Sequence, residues 1–334
     1  MRLITVGQLD PDSLDAPVAA HFGDPLREQR LSPALVDRSH RGVLVLTGPE
    51  RLSFLHNLTS QHLADLPEGK ATQALLLSPH GHLEHHLWIS SVGDELFLDV
   101  EPGAVEPLEQ FLLKMRFFTQ VEIARSDLRV FSIVGDDHGL GEPDLLPVPG
   151  AKFATGAVPP RPTSLFPLQR LPGGGFVRRT ELGVDLLLPP GAELPDVPRA
   201  GIWAYEAHRV AAGIPRIGFD TDHRTLPSEV DLTAAAVHLE KGCYRGQETV
   251  ARVHHLGRPP RALRLLHFDG IATDHLPRPG TPVTAGDRAV GFVGTAVQHF
   301  ELGPIALGVL KRNISGDAPL IAGESTVAVE SLHD

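Results

Sequence analysis

Cysteine is almost absent: the 334 residues contain one, Cys243. No disulfide can close within a single chain, which fits a reducing compartment, and one copy cannot supply the four thiolates of an all-cysteine zinc or iron–sulfur site. Positive charge is also short. Lys and Arg total 30 against 41 Asp and Glu, a formal net charge of -11. That balance argues against a broad phosphate-binding face, because nucleic-acid affinity rests on cations that neutralise phosphates. A small anionic ligand remains compatible, since a local basic pocket needs few residues. Aromatics make up 5% of the chain, and its C-terminal strands lack the aromatic–basic interleaving that binds single-stranded nucleic acid. Long apolar runs are missing too. No stretch approaches the ~20 residues of a membrane helix, and residues 1–8 have no secretory pattern. The expectation is a cytoplasmic protein with no membrane and no direct nucleic-acid partner.

What is present is ordinary globular material, 42% hydrophobic and 21% charged, long enough for two or three domains. The run 43–46 ends at Thr47-Gly48-Pro49 and reads as a strand and turn. Residues 50–63 carry helical spacing, and 74–77, 83–89 and 95–100 read as a strand meander. Residues 105–117 predict an amphipathic helix, with a strand at 120–123. A second unit opens with a strand at 129–135. The Pro- and Gly-rich stretch 141–172 reads as irregular, 175–179 and 184–188 as paired strands, and 200–212 as a helix ended by Gly213. Leu171-Pro172-Gly173-Gly174-Gly175 follows no expected strand and opens no helix, so it is not a phosphate loop. Beyond 255, short strands at 263–268, 281–284, 289–295 and 305–310 indicate a small antiparallel barrel. The expected fold is α+β: two α+β units with antiparallel sheets, residues 1–127 and 128–255, and a C-terminal β-barrel over 256–334.

The densest chemical signal is Lys241-Gly242-Cys243-Tyr244-Arg245-Gly246-Gln247-Glu248. Neighbouring cations favour a thiolate, which raises nucleophilic and metal-ligating character, and the flanking glycines let backbone or ligand approach closely. A small buried cysteine at a turn is the plain alternative. Trp203 suits either ring stacking or core filling. Glu206 and Arg209 sit i, i+3 on one helical face, where a solvated ion pair is the default. His80, His82, His85 and His86 crowd one segment. On a regular strand His80, His82, Glu84 and His86 would share a face, but alternate positions lie ~6.5–7 Å apart, too far for all to grip one ion. Two could ligate with outside help. The expectation is no metal site, and a solvated or ligand-channel face instead.

The octapeptide resembles the K-G-C-Y-x-G-Q-E signature of the YgfZ family, relatives of the glycine cleavage T-protein, and the likeness runs on through Thr249-Val250-Ala251-Arg252. Other segments carry it across most of the chain: 35–39 and 43–48 at the opening, Phe54 to Gln61, Lys114 to Phe117 with Val121 to Ile123, Gly183 to Leu186 before Leu188-Pro189, and Glu206 to Pro215. The resemblance implies a central channel that binds a reduced folate such as tetrahydrofolate. Asp185 would recognise the pterin, because a carboxylate can accept two parallel hydrogen bonds from it. Arg209, Trp203, Glu206 and Lys114 would be further contacts, and Cys243 would act beside the channel, activated by Lys241 or Arg245. The implied role is support of iron–sulfur cluster assembly or repair in client enzymes, including ones that methylthiolate tRNA, so partners are folate and client or assembly proteins. One segment departs from the T-protein pattern. Where that family has G-G-x-x-D-D with a catalytic aspartate, this chain has Gly81-His82-Leu83-Glu84-His85-His86, with Glu84 or His85 in the aspartate's place. A folate-dependent aminomethyltransferase is therefore the alternative, and a His-rich metal-binding protein the second.

Overall fold

Runs of Val, Leu and Ile bounded by turn residues become strands, and their order sets where helices can cover them. In the computed structural model, residues 13–135, 139–141, 144–145, 164–256, 259–269, 276–314 and 319–332 are described. In chain order the elements are α1 (Pro25–Glu28), β1 (Ala34–Asp37), β2 (Gly42–Thr47), α2 (Arg51–Leu58), β3 (Lys70–Leu77), β4 (Leu83–Val92), β5 (Glu95–Val100), α3 (Val105–Met115), β6 (Glu122–Arg125) and β7 (Arg129–Val134). Then come β8 (Asp144–Leu145), β9 (Ser164–Arg170), β10 (Phe176–Thr180), β11 (Gly183–Leu188), β12 (Arg199–Ala200), α4 (Ile202–Ala211), α5 (Leu232–Ala236) and α6 (Gln247–Leu256). The last stretch holds β13 (Arg261–Phe268), β14 (Pro282–Ala285), β15 (Arg288–His299), β16 (Gly303–Lys311), β17 (Leu320–Ala322) and β18 (Ser325–Ser331).

The α+β body is one large mixed sheet in the order β12-β1-β7-β11-β10-β9-β3-β4-β5-β2-β6. Among the described residues only the β1–β12 edge is parallel, with Leu35 opposite Arg199. Two features tie the expected units together. β1 pairs with β7 and β12 of the second unit, and β9 bridges β10 to β3. β9 falls inside the stretch read as irregular. Pro167 and the flanking Pro and Gly residues mask a strand whose Phe166 is buried edge-on against Trp88, ring centres 4.9 Å apart. The glycine run 173–175 is the turn between β9 and β10. Within the stretch read as irregular, residues 142–143 and 146–163 lie outside the described residues.

The C-terminal strands close into a six-stranded antiparallel barrel, β13-β16-β15-β14-β17-β18. Its own interior holds Leu266, Val283, Val290 and Val293. A separate core joins barrel to body: Ala207 and Val210 of α4, Leu75 and Leu77 of β3, and Tyr244 pack with Leu265, Ile305 and Leu307. Burial of that many aliphatic side chains, at ~25 cal/mol per Å² of apolar area, makes the barrel an integral wall rather than a tethered module. Helix α2 stops at Leu58, short of the predicted 63, because Thr59 turns extended and the Ser60 amide bonds the Leu75 carbonyl instead. Among the described residues no helix is long and apolar enough to cross a membrane.

Candidate functional site

The octapeptide loop turns its first and fourth residues inward. Lys241 and Tyr244 point inward, both buried, while Gly242 and Cys243 are exposed. The Lys241 ammonium lies at the C-terminal end of α2, where carbonyls have no helical partner. It donates to the carbonyls of His56, Thr59 (2.5 Å) and Gln61 (3.2 Å), and burial pushes its amine down to about 8. Glycines fasten the other end. Gly246 has φ +81°, and a Cβ there would sit 2.5 Å from the Ser78 carbonyl oxygen; Gly81, also at φ +81°, would strike Thr249 at 2.8 Å. The two backbones touch because neither residue has a side chain. The loop is thus pinned to α2 on one side and to the β3–β4 turn on the other, and the thiol faces outward.

Arg245 enters a cavity of about 620 Å³ whose walls include Leu58, Leu76, Glu84, His85, Phe111 and Lys114. Its guanidinium forms a fork with Glu84, at 2.8 and 3.2 Å, and lies 5.4 Å from the Phe111 ring centre. A smaller cavity of about 260 Å³ shares Glu84 and His85 and adds His86, Glu101 and Gly218. The sharing has a backbone cause. Opposite β3, Leu75 pairs with His86 and Leu76 with His85, but Leu77 pairs with Leu83, so Glu84 is an extra residue. This bulge breaks the two-residue alternation and re-aims neighbouring side chains toward one region. The sequence-based alternation, which placed Glu84 with His82 and His86, misses it.

Burial holds the His85 and His86 imidazoles down to about 4, so both are neutral near pH 7. His85 Nδ1 is buried, with no hydrogen-bond partner among the described residues. His86 is held by a relay. Glu181 Oε1 accepts from the Gln73 side-chain amide at 2.6 Å, which turns the Gln73 oxygen to His86 Nε2 at 2.8 Å. A carboxylate only accepts, so the neutral His86 carries its proton on Nε2 and keeps Nδ1 as an acceptor. Gln73 and Glu181 carry no motif and went unnoticed in the sequence. The rings of His80 and His82 are 6.1 Å apart, and among the described residues no group of three His, Cys, Asp or Glu is arranged to hold a metal ion.

The remaining expected contacts are placed differently. Asp185 is 2% exposed, and its carboxylate accepts from Arg178 (2.8 Å), Ser132 (2.6 Å) and Arg38 (3.4 Å). Arg209 and Glu206 do pair, as their spacing predicts, but inside the protein rather than in solvent. Arg209 donates to Glu206 (2.5 Å), Asp220 (2.8 Å) and Thr295 of the barrel (2.7 Å). Both belong to a buried chain of alternating charge. Arg178 bridges Asp185 and Asp99, Arg41 bridges Asp99 and Glu101, and Arg216 joins Glu101 to Asp15 and Glu206. Burial alone would raise the Asp99 carboxyl, but the Arg178 and Arg41 guanidiniums hold it below the usual range. The readable signal was a charged pair, Arg178-Arg179, inside an apolar strand. Trp203 is 38% exposed and stands beside His21, ring centres 5.1 Å apart. The structure therefore brings Arg245, Lys114, Glu84 and His85 to one cavity and gives Asp185, Glu206 and Arg209 to the internal frame.

No family model matches the chain. It is 26% identical over 303 residues to a putative chloroplastic transferase of Arabidopsis thaliana, covering 81% of this chain and 65% of that protein. It is 36% identical over 107 residues to the human mitochondrial iron–sulfur cluster assembly factor IBA57, covering 31% of this chain and 29% of that one. The chain thus spans less than two thirds of either relative. An aminomethyltransferase of Chlorobium luteolum is 26% identical over 334 aligned residues, 92% of this chain and 82% of the relative. Among solved structures, the glycine cleavage aminomethyltransferase T of Bartonella henselae superposes with a TM-score of 0.70 at 19% identity, covering 96% of this chain and 89% of that one. The fold is that of the T-protein, body and barrel alike.

Proposed function

We propose that this chain is a folate-binding protein of the YgfZ type that supports assembly or repair of iron–sulfur clusters in client enzymes. Cys243 is its working thiol, and the cavity walled by Arg245, Lys114, Glu84 and His85 is its folate site. One observation carries the reading: the pinned loop presents Cys243 to solvent while the residue two places on, Arg245, enters the cavity. Thiol and ligand pocket are thereby joined through a single rigid turn. The local match to the iron–sulfur assembly factor supports the same view.

The cavity's chemistry suits a reduced folate. Its volume lies in the usual range for small-molecule sites. Leu58, Leu76, Phe111 and Met115 offer apolar walls for a flat ring, the Glu84–Arg245 fork offers polar groups at its edge, and Lys114 offers a cation for a glutamate tail. The unpartnered His85 Nδ1 is a polar atom that a ligand could satisfy. A bound reduced folate would supply a carrier for one-carbon units. Lys114 is the expected folate contact that this site retains. In this proposal Asp185, Arg209 and Glu206 hold the internal frame rather than touch the ligand, and Trp203 lies apart from the cavity.

A folate-dependent aminomethyl transfer is the second reading, favoured by the long alignment to aminomethyltransferases. There Glu84 or His85 would stand in for the missing aspartate. The two readings separate in cells deleted for the native gene. Cys243→Ala should lower the activity of iron–sulfur client enzymes without lowering the protein's own level. Full client activity with the alanine variant would remove the thiol from the mechanism, and consumption of tetrahydrofolate with an amine donor would favour the transferase.

A further inference from the structure

The turn that follows α3 exposes more aromatic surface than any other described part of the molecule. Phe118 is 101% exposed, Phe117 76%, and Leu113 on the last turn of α3 40%. Neighbouring large apolar side chains left in water mark interaction surfaces more often than chance. Phe117 also has φ +44°, a left-handed backbone that bulky residues rarely adopt. The turn is nonetheless firmly seated. The Thr119 amide bonds the Arg116 carbonyl at 2.9 Å, and the Gln120 amide donates to the Glu50 carboxylate at 2.7 Å. Gly48 makes room beneath it, since a Cβ there would lie 2.5 Å from the Gln120 carbonyl oxygen. The base is clamped and both rings face outward, so their exposure is built into the fold.

Charge and position narrow the occupant. In a chain of net charge -11, Lys114 and Arg116 flank these rings, so the complementary surface is apolar with an acidic edge. An anionic lipid surface would be repelled by the molecule as a whole. Phe111, Lys114 and Met115 of the same helix wall the Arg245 cavity, and Phe117 lies two residues beyond the helix's last residue, Met115. We propose that Phe117 and Phe118 form a rigid docking knob for the iron–sulfur protein that Cys243 serves, a folded partner with an apolar groove edged by carboxylates. This rests on the function proposed above.

The test uses the full chain in cells deleted for the native gene. One arm carries Phe117→Asp with Phe118→Asp, another Cys243→Ala, and a third a photo-crosslinking phenylalanine at position 118. The double variant should lose at least fivefold in client iron–sulfur enzyme activity, as Cys243→Ala does, with unchanged thermal midpoint and tetrahydrofolate binding of the purified protein. The crosslinked species should be an iron–sulfur protein, and its yield should fall with Arg116→Glu. If the double variant unfolds, Phe118→Ala alone replaces it. Full activity of the double variant beside an inactive Cys243→Ala would overturn the knob only. Full activity of both would overturn the function and the knob together. A crosslink confined to lipid or to a second copy of this chain would likewise overturn it.

Discussion

Lys241 shows how a neighbour in sequence differs from a neighbour in space. Beside Cys243 it reads as an activating charge, yet its ammonium is spent on three carbonyls at the end of α2. Nothing in the octapeptide alone distinguishes these roles, because the carbonyls it serves come from residues 56–61. Lys241→Met should leave them unpartnered and cost about 1–3 kcal/mol of stability, read by urea unfolding. An unchanged midpoint would contradict the capping role. The pH dependence has a definite sign. The amine loses its proton near 8 when folded but near its ordinary 10.5 when unfolded. Between those values the unfolded chain binds more protons, so stability should rise with pH across that window and should not do so in Lys241→Met.

Among the elements, β4 decides the site. Its composition was readable, Glu84, His85 and His86 where a T-protein-like chain would carry aspartates, but its bulge was not. A bulge is a relation between two strands, and only pairing with β3 shows Glu84 as the extra residue. The seat of the loop was more legible, since Gly81 and Gly246 were visible as glycines in the two motifs that meet. Gly246→Ala places a methyl against the Ser78 carbonyl at positive φ, and should destabilise by about 1–3 kcal/mol and lower client activity together. The histidines give a second pH signature. His85 and His86 stay neutral down to about 4, whereas unfolded imidazoles protonate near 6.5. Stability should therefore fall as pH drops from 6.5 toward 4, and more gently in His86→Gln. Equal slopes for both proteins would count against buried neutral imidazoles.

Across the whole molecule, a chain of arginines and carboxylates ties the sheet to α4 and the barrel through Arg178, Arg216 and Arg209. Sheet, helix and barrel were legible from periodicity and turn chemistry, but this network was not, because its members are scattered from Asp15 to Thr295. Breaking it by Arg178→Met leaves Asp99 and Asp185 facing each other without their shared cation, and should cost about 3–5 kcal/mol by thermal or urea unfolding. On the proposed function, ligand recognition falls to the cavity at the octapeptide loop rather than to this frame. The direct measurement is a calorimetric titration with tetrahydrofolate of the native protein and Arg245→Ala. One equivalent should bind the native protein, and the variant should bind at least tenfold more weakly with an unchanged unfolding midpoint. Equal affinity for the two proteins, or no binding by the native one at millimolar ligand, would contradict a folate site walled by Arg245.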